Sequence, residues 1–117
     1  MRRGEVYIAA LDPVKGSEAS KRRPVVVVSH NALNKIVAER GRGVITVVPL
    51  TSNVEVVLSF QLFLPAEVTG LSRDSKAQAE QVRALAYERF QGGVVGVLPT
   101  FYIAQLDTAL KLHLTLD

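Results

Sequence analysis

The chain has 117 residues, no cysteine, and a net charge of +3 from 14 Lys and Arg against 11 Asp and Glu. This length fits one domain, residues 1–117, and the lack of cysteine excludes a disulfide framework and thiolate metal sites. Met1-Arg2-Arg3 is basic, but Gly4-Glu5 interrupts it and no continuous apolar segment follows, so we predict neither a signal peptide nor a membrane span. We expect a soluble, cytoplasmic protein.

Two strands are predicted in the first third of the chain. Glu5 to Leu11 alternates in side-chain character and ends at Asp12-Pro13, because proline cannot donate a hydrogen bond to a ladder. Pro24 then opens Val25-Val26-Val27-Val28-Ser29, a β-branched segment typical of a strand that is buried on both faces.

The segment from Val14 to Pro24 is the basic part of the chain. It carries four basic residues against Glu18, an excess equal to the whole net charge. A local basic patch on an otherwise balanced domain favours an anionic partner such as a phosphate backbone, although a solvated loop would have the same composition. The basic residues are Lys15, Lys21, Arg22 and Arg23.

The middle of the chain is predicted to contain one helix and two strands. His30 to Arg40 reads as a short helix that ends at Gly41-Arg42-Gly43. Val44 to Leu50 is the next strand, and Thr51-Ser52-Asn53 has the composition of a turn. Val54 to Leu64 alternates apolar residues, so we predict a strand along its whole length.

The last third is less regular. Pro65 to Arg73 reads as a connection, and Ser75 to Arg89 combines good helix formers with an alternation that equally fits a strand. Val94 to Leu98 is predicted as a short strand, followed by a terminal helix with Thr100 as its N-cap. Short strands with one closing helix favour a small bent sheet or barrel. The apolar stripe of the terminal helix, expected to pack on the sheet, is Ile103, Leu106, Leu110 and Leu114.

Few catalytic chemistries fit this composition. His30 and His113 lie far apart without metal-ligand spacing, and we interpret both as boundary or packing residues. Gly41-Arg42-Gly43 lacks the pattern of a phosphate-binding loop, and no carboxylates pair as in glycosidases or two-metal nucleases. We therefore expect any catalysis to use neither a metal nor a cofactor. RNA transesterification fits, because RNA carries its own nucleophile and arginine suits the phosphate charge.

Short motifs follow one another in a fixed order from Arg3 to about Leu116. They are Arg3-Gly4-Glu5-Val6-Tyr7, Asp12-Pro13, Gly16-Ser17-Glu18, Arg23 to Ser29, Pro49-Leu50-Thr51-Ser52, Asp74-Ser75, Glu80 to Leu85, and a closing pattern of Leu106, Asp107, Ala109, Leu110 and Leu112. In this order they resemble the MazF/PemK (Kid) family of toxin endoribonucleases.

The resemblance implies a mainly β fold with attached helices, an SH3-like small β-barrel with a C-terminal helix, acting as a homodimer. It implies metal-independent, sequence-specific cleavage of single-stranded RNA, including mRNA, to a 2′,3′-cyclic phosphate and a 5′-hydroxyl. A cognate MazE-type antitoxin would block the site with an extended acidic tail. The family pattern also favours a strand over Lys76 to Leu85 and a short helical piece near Tyr87 to Phe90.

The resemblance also assigns candidate site residues. Arg23 matches the family's catalytic arginine, which would clamp the phosphate, and Thr51 matches its catalytic threonine, which would donate a hydrogen bond to a non-bridging oxygen. Without the resemblance, Thr51 reads as a turn residue. Glu18 is a tentative base for the 2′-hydroxyl, or it holds Arg23 in place. The candidate RNA-binding residues are Lys15, Gly16, Ser17, Lys21, Arg22, Ser52, Asn53, Gln81 and Arg83.

Two alternative functions stay open. One is a CcdB-like gyrase-binding toxin on the same fold, a family that acts through a C-terminal Trp-Gly-Ile; this chain has no Trp and ends in Leu114-Thr115-Leu116-Asp117. The other is a non-catalytic RNA-binding module in which the basic segment supplies only phosphate contacts. Tyr7, Phe60 and Phe63 are candidates for base stacking, although we expect them to pack in the core.

Overall fold

The structure is a computed structural model that describes residues 1–11 and 22–117. Within this part of the chain, no helix is long and apolar enough to cross a membrane. The strands are β1 (Glu5–Ala10), β2 (Arg22–Val27), β3 (Val44–Thr51), β4 (Gln61–Leu64), β5 (Ser75–Gln78), β6 (Arg83–Ala86) and β7 (Phe90–Val97). The helices are α1 (Asn31–Arg40), α2 (Ala66–Thr69) and α3 (Thr100–Leu114), with 3₁₀ turns at Ala79–Gln81 and Tyr87–Arg89.

The strands form one antiparallel sheet in the order β4-β5-β3-β2-β1-β7. Strand β3 is its centre, because its first half pairs with β6 and its last residues pair with β5. The predicted class, mainly β with attached helices and a C-terminal helix, is confirmed. The hydrogen-bonded ladder does not return from β7 to β4, so the sheet formed by the described strands is open.

At β2, in the centre of the sheet, both faces of the sheet are buried. Val25 and Val27 of β2 belong to a cluster on one face, against which Leu33 of α1 packs. Val26 belongs to a second cluster on the opposite face, together with Leu106 of α3. All three valines are fully buried, which confirms the prediction of a strand covered on both sides.

Helix α1 follows the predicted signals. The imidazole Nδ1 of His30 accepts a hydrogen bond from the Leu33 N–H at 3.4 Å, and Gly41 ends the helix in the left-handed conformation. Asn34 is fully buried, and its side-chain amide donates to the Ser29 carbonyl at 2.8 Å. This contact ties the helix to the chain that leaves β2.

The predicted strand from Val54 to Leu64 is wrong over most of its length. Only Gln61–Leu64 is a strand, and the preceding residues form a loop in which Val56 is 61% exposed and Leu58 is 46% exposed. Alternation predicts a strand only where one face meets a core, and here no core covers the apolar side chains.

Side chains hold this loop in place of a strand ladder. Lys76 Nζ donates to the Val56 carbonyl at 2.6 Å, and the Leu58 N–H donates to Gln61 Oε1 at 3.0 Å. The Gln61 side chain in turn donates from Nε2 to Glu80 Oε2 at 2.7 Å. The backbone therefore satisfies part of its hydrogen bonding without a neighbouring strand.

The strand predicted from Lys76 to Leu85 is confirmed at both ends but is wrong in the middle, where it is interrupted. Strands β5 and β6 are separated by the 3₁₀ turn Ala79–Gln81, and the turn Tyr87–Arg89 confirms the short helical piece. Strand β7 begins at Phe90, four residues before the predicted start, because Phe90 and Gln91 also pair with β1. The register shift that follows contains Gly92, whose φ is positive.

Two details of the C-terminal third differ from expectation. Pro99 is the N-cap of α3 and Thr100 is its first helical residue, so the predicted cap is wrong by one position. Ile103, Leu106 and Leu110 pack on the sheet as predicted, but Leu114 is 49% exposed because the last turn extends beyond the core. The predicted connection after Pro65 contains α2.

Candidate active site

The register of the sheet brings Arg23 and Thr51 together. Strands β2 and β3 pair as far as Val25 opposite Pro49, and this register, extended two residues beyond the last pair, aligns Arg23 with Thr51. Both residues line the same two pockets. Directly opposite residues of an antiparallel pair point to the same face. The two candidate catalytic residues are therefore neighbours at the ends of adjacent strands.

Local sequence explains why Arg23 has an extended backbone near the start of β2. A residue before proline is restricted to β-like geometry, and Pro24 follows Arg23 directly. Arg23 also pairs with Ala9 of β1, which is fully buried. The backbone that carries the guanidinium is thus positioned by Pro24 and by its pairing with β1.

Two pockets adjoin at Arg23 and Thr51, which line both of them. The arginine pocket has a volume of about 460 Å³ and is named for Arg22 and Arg73. The glutamine pocket has a volume of about 350 Å³ and is named for its two glutamines. The further polar lining residues are Ser52, Ser72 and Ser75 in the arginine pocket, and Gln78, Gln81 and Arg83 in the glutamine pocket.

The described lining of the two pockets is positively charged. Among the described residues that line them, four are arginines and none is a carboxylate or an imidazole. The ion pair found in residues 1–11 and 22–117 joins Arg3 to Asp107, away from both pockets. Guanidinium groups without a carboxylate partner are suited to bind phosphate oxygens through parallel hydrogen bonds. In the same part of the chain, no three His, Asp or Glu residues cluster as metal ligands would.

The hydroxyl of Thr51 is oriented by the turn that follows it. Its Oγ1 accepts a hydrogen bond from the Asn53 N–H at 3.3 Å, an arrangement typical of a Thr that starts a turn. A hydroxyl that accepts in this way keeps its own proton for donation. The turn role and the proposed catalytic role of Thr51 are therefore compatible.

The structure brings together most of the predicted site residues that it describes. Arg22 and Ser52 line the arginine pocket, and Gln81 and Arg83 line the glutamine pocket. Asn53 lines neither pocket, and its contribution is the N–H that orients Thr51. The remaining candidates, Lys15, Gly16, Ser17, Glu18 and Lys21, lie outside the described residues.

Arg83 also has a structural contact. Its Nη1 donates to the Leu11 carbonyl at 3.2 Å, across 72 positions of sequence. This bond fixes the end of β1 beside the glutamine pocket. One donor of Arg83 is therefore already used inside the protein.

Sequence reasoning missed Arg73 and Gln78. Arg73 reaches the arginine pocket because the chain after α2 folds back: Asp74 Oδ1 accepts from the Ala66 N–H at 2.9 Å. A Cβ on Gly96 would clash with the Thr69 carbonyl, so glycine lets α2 approach β7 closely. The signal for Gln78 was its place among the polar residues of β5, which alternate with buried ones.

The aromatic candidates divide between core and surface. Tyr7 donates to Glu5 Oε1 at 2.8 Å and packs edge-to-face on Phe90, with ring centroids 5.6 Å apart. Burial and the hydrogen bond to Glu5 raise the pKa of the Tyr7 hydroxyl well above its ordinary value, so this group stays neutral and is no candidate base. Phe60 is half-buried, and Phe63 is 41% exposed, so the expectation of core packing is wrong for Phe63.

This chain is similar in sequence to a known family and to its individual members. The profile of the family described as PemK-like, MazF-like toxin of type II toxin-antitoxin system matches residues 2–114. Endoribonuclease MazF9 of Mycobacterium tuberculosis is 53% identical over 116 residues, which cover 99% of this chain and 98% of that protein.

Two solved structures share the fold. MazE-MazF (Form-II) from Deinococcus radiodurans matches with a TM-score of 0.80 at 24% identity, over 100% of this chain and 97% of that chain. An endoribonuclease in complex with its cognate antitoxin, from a mycobacterial species, matches with a TM-score of 0.76 at 22% identity, over 100% and 97%. The chain belongs to the family of PemK-like, MazF-like toxins of type II toxin–antitoxin systems.

Proposed function

We propose that this chain, as a single toxin domain, is a metal-independent, sequence-specific endoribonuclease that cleaves single-stranded RNA, including mRNA. The observation that carries the proposal is the meeting of Arg23 and Thr51 at the junction of two pockets whose described lining contains arginines and no carboxylate. The 53% identity to a protein named endoribonuclease supports the same activity.

The chemistry follows from what these residues can do. The 2′-hydroxyl of the RNA attacks the adjacent phosphorus, so an O2′–P bond forms while the P–O5′ bond breaks. The products are a 2′,3′-cyclic phosphate and a 5′-hydroxyl. Negative charge grows on the two non-bridging oxygens as the phosphorane forms, and this charge is what the protein must stabilise.

Arg23 and Thr51 supply the donors for that charge. Arg23 binds the non-bridging oxygens with its planar fork, and Thr51 donates the proton that its contact with Asn53 leaves available. One well-placed donor to such an oxyanion contributes about 2.7–4 kcal/mol to the barrier reduction. Arg23 acts as a fixed cation, since a guanidinium stays protonated.

Two proton transfers complete the reaction. Glu18 is the proposed base that accepts the O2′ proton; its alternative role is to hold Arg23 in place. The leaving O5′ takes up a proton from water and becomes the 5′-hydroxyl. Holding O2′, the phosphorus and O5′ in line lowers the activation barrier further, because an oriented attack avoids much of the entropic cost of the reaction.

The proposed partner that controls this site is a MazE-type antitoxin with an extended acidic tail. Its carboxylates would occupy the positions of RNA phosphates along the arginine-lined pockets. A related mycobacterial endoribonuclease was solved in complex with its cognate antitoxin, which supports this pairing. We further propose that the chain acts as a homodimer in the cytoplasm, where mRNA is translated.

The test is incubation of the protein with a mixed RNA pool in EDTA, followed by mapping of both ends of every fragment. We expect cuts at one recurring short motif, with 2′,3′-cyclic phosphate and 5′-hydroxyl ends. Arg23→Ala should reduce the rate by roughly 100- to 1,000-fold without changing the melting temperature. The matched control is Arg42→Ala, which removes an exposed arginine that lines neither pocket and should leave the rate unchanged.

Three outcomes would contradict the proposal: no cleavage by the wild-type protein, cleavage that needs a divalent ion, or full activity in Arg23→Ala. RNA binding without cleavage would point to the non-catalytic module. Gyrase binding without cleavage would point to the CcdB-like alternative.

A further inference from the structure

The two pockets beside Arg23 and Thr51 differ in the kind of polar group that they offer. In the arginine pocket, the groups added to the shared pair are guanidinium groups and hydroxyls. In the glutamine pocket, they are two primary amides and the guanidinium of Arg83. Each nucleotide of RNA carries a phosphate and a base. Contacts with phosphates position the strand, whereas contacts with bases select its sequence.

The arginine pocket is suited to phosphate. Arg22 and Arg73 come from distant parts of the chain, and both side chains are exposed. Neither forms an ion pair with another residue of the described ranges. Guanidinium contacts to phosphate fix the path of a strand but do not distinguish its bases.

The glutamine pocket is suited to a base edge. Gln78 ends β5 and Gln81 ends the 3₁₀ turn that follows, so the two amides lie within one turn of chain. Each amide offers a donor and an acceptor side by side, which matches the paired groups on the edge of an unstacked base.

Within residues 1–11 and 22–117, the amides of these two glutamines differ from that of Gln61 in their contacts. Gln61 uses both ends of its amide inside the protein, accepting from the Leu58 N–H and donating to Glu80. The side chains of Gln78 and Gln81 form no hydrogen bond with any other residue that the structure describes. Arg83, by contrast, already donates to the Leu11 carbonyl.

Gln78 also lies close to the reacting centre. Thr51 pairs with Lys76, and Gln78 is two residues farther along the same strand, on the same face of the sheet. Two residues of a strand span roughly 7 Å, which is within reach of a base next to a phosphate bound at Thr51.

We propose that base selection is concentrated on one side of the cut: Gln78, together with Gln81, reads an unpaired base there, while Arg73, together with Arg22, binds phosphates on the other side without selecting bases. Gln78 is then a specificity-determining residue and Arg73 a phosphate-binding residue. The inference rests on the proposed endoribonuclease function and extends it to the side of the cut on which bases are selected.

The test compares Gln78→Ala and Arg73→Ala on a randomised RNA pool with both fragment ends mapped. Gln78→Ala should weaken base preference by about tenfold at positions on one side of the cut, leaving the other side unchanged. Arg73→Ala should slow cleavage of all sequences alike. The matched controls are Gln105→Ala and Arg42→Ala, exposed residues that line neither pocket and should leave both the profile and the rate unchanged.

A binding measurement gives a second readout that does not depend on turnover. With single-stranded RNA made uncleavable by deoxyribose substitution, Arg73→Ala should reduce the slope of log affinity against log salt concentration by about one. Gln78→Ala should leave that slope unchanged. Thermal melting of each variant confirms that the fold is kept.

The possible results separate the two claims. If the wild-type protein cuts no RNA, the proposed function fails. If it cuts RNA but Gln78→Ala leaves the base profile unchanged, or changes it equally on both sides, the inference fails alone. It fails equally if Arg73→Ala alters base preference or leaves the salt dependence unchanged.

Discussion

The two ends of the β2–β3 pair differ in burial: one end lies in the core and the other lines the two pockets. At the inner end, Val25 to Val27 and Ile45 are fully buried between the two clusters of the core. At the outer end, Arg22 to Pro24 and Thr51-Ser52 line pockets that are open to ligand. One pair of strands therefore contains both the packing that fixes the register and the groups that the register positions.

We therefore expect folding stability and cleavage activity to depend on different residues of the same two strands. The inner residues hold Arg23 opposite Thr51 through the register that they fix. The outer residues contribute little burial, so substitutions there should change chemistry and leave folding intact. Three substitutions test whether the two ends of the strand pair contribute separately to stability and to cleavage.

Ile45→Ala removes a fully buried side chain at the inner end and should have the largest effect. We expect the free energy of unfolding to fall by about 2–5 kcal/mol, because lost burial and a cavity add together. Denaturant titration measures this change. Cleavage per folded molecule, measured well below the melting temperature, should stay near wild type; an unchanged unfolding free energy would show that the inner end is not tightly packed.

Arg23→Lys keeps the positive charge at the outer end but loses the planar fork. We expect single-turnover cleavage to fall by roughly 100-fold, because an ammonium cannot form two parallel hydrogen bonds with the phosphate oxygens. Chemical denaturation should give a wild-type unfolding free energy. Wild-type cleavage by this variant would mean that charge alone suffices.

Thr51→Val removes the hydroxyl while keeping the shape of the side chain. We expect cleavage to slow by roughly 100-fold, at the lower end of the effect of losing one oxyanion donor, because Arg23 still contacts the developing charge. Thr51→Ser is the matched control, because it retains a hydroxyl for the Asn53 N–H and for the substrate, and it should recover most of the rate. Equal rates for the valine and serine variants would show that the Thr51 hydroxyl takes no part in cleavage.

The sequence predicted well the parts of the fold that depend on local pattern. The valine strand and α1 with its His30 and Gly41 ends agree with the structure. Local pattern put Arg23 and Thr51 just outside their strands, and the structure includes them in β2 and β3. These features need only neighbouring residues: a β-branched segment, capping side chains, and a proline that fixes the residue before it.

The features that sequence missed depend on contacts between distant segments. Val54 to Phe60 alternates like a strand but has no core to face, and Lys76 and Gln61 hold it as a loop. Arg73 reaches the site only because Asp74 binds the start of α2 and Gly96 lets that helix approach β7. Alternation and composition contain no information on either contact.

In the proposed mechanism, the ribose of the substrate supplies the nucleophile, and Arg23 and Thr51 stabilise the resulting charge. Its most direct test is a short RNA containing the mapped cleavage motif, with deoxyribose at the single residue 5′ to the cut. We predict that the substituted strand still binds but is no longer broken at that bond, while the all-ribose strand is cut. Scission of the deoxy-substituted bond at a comparable rate would contradict the mechanism.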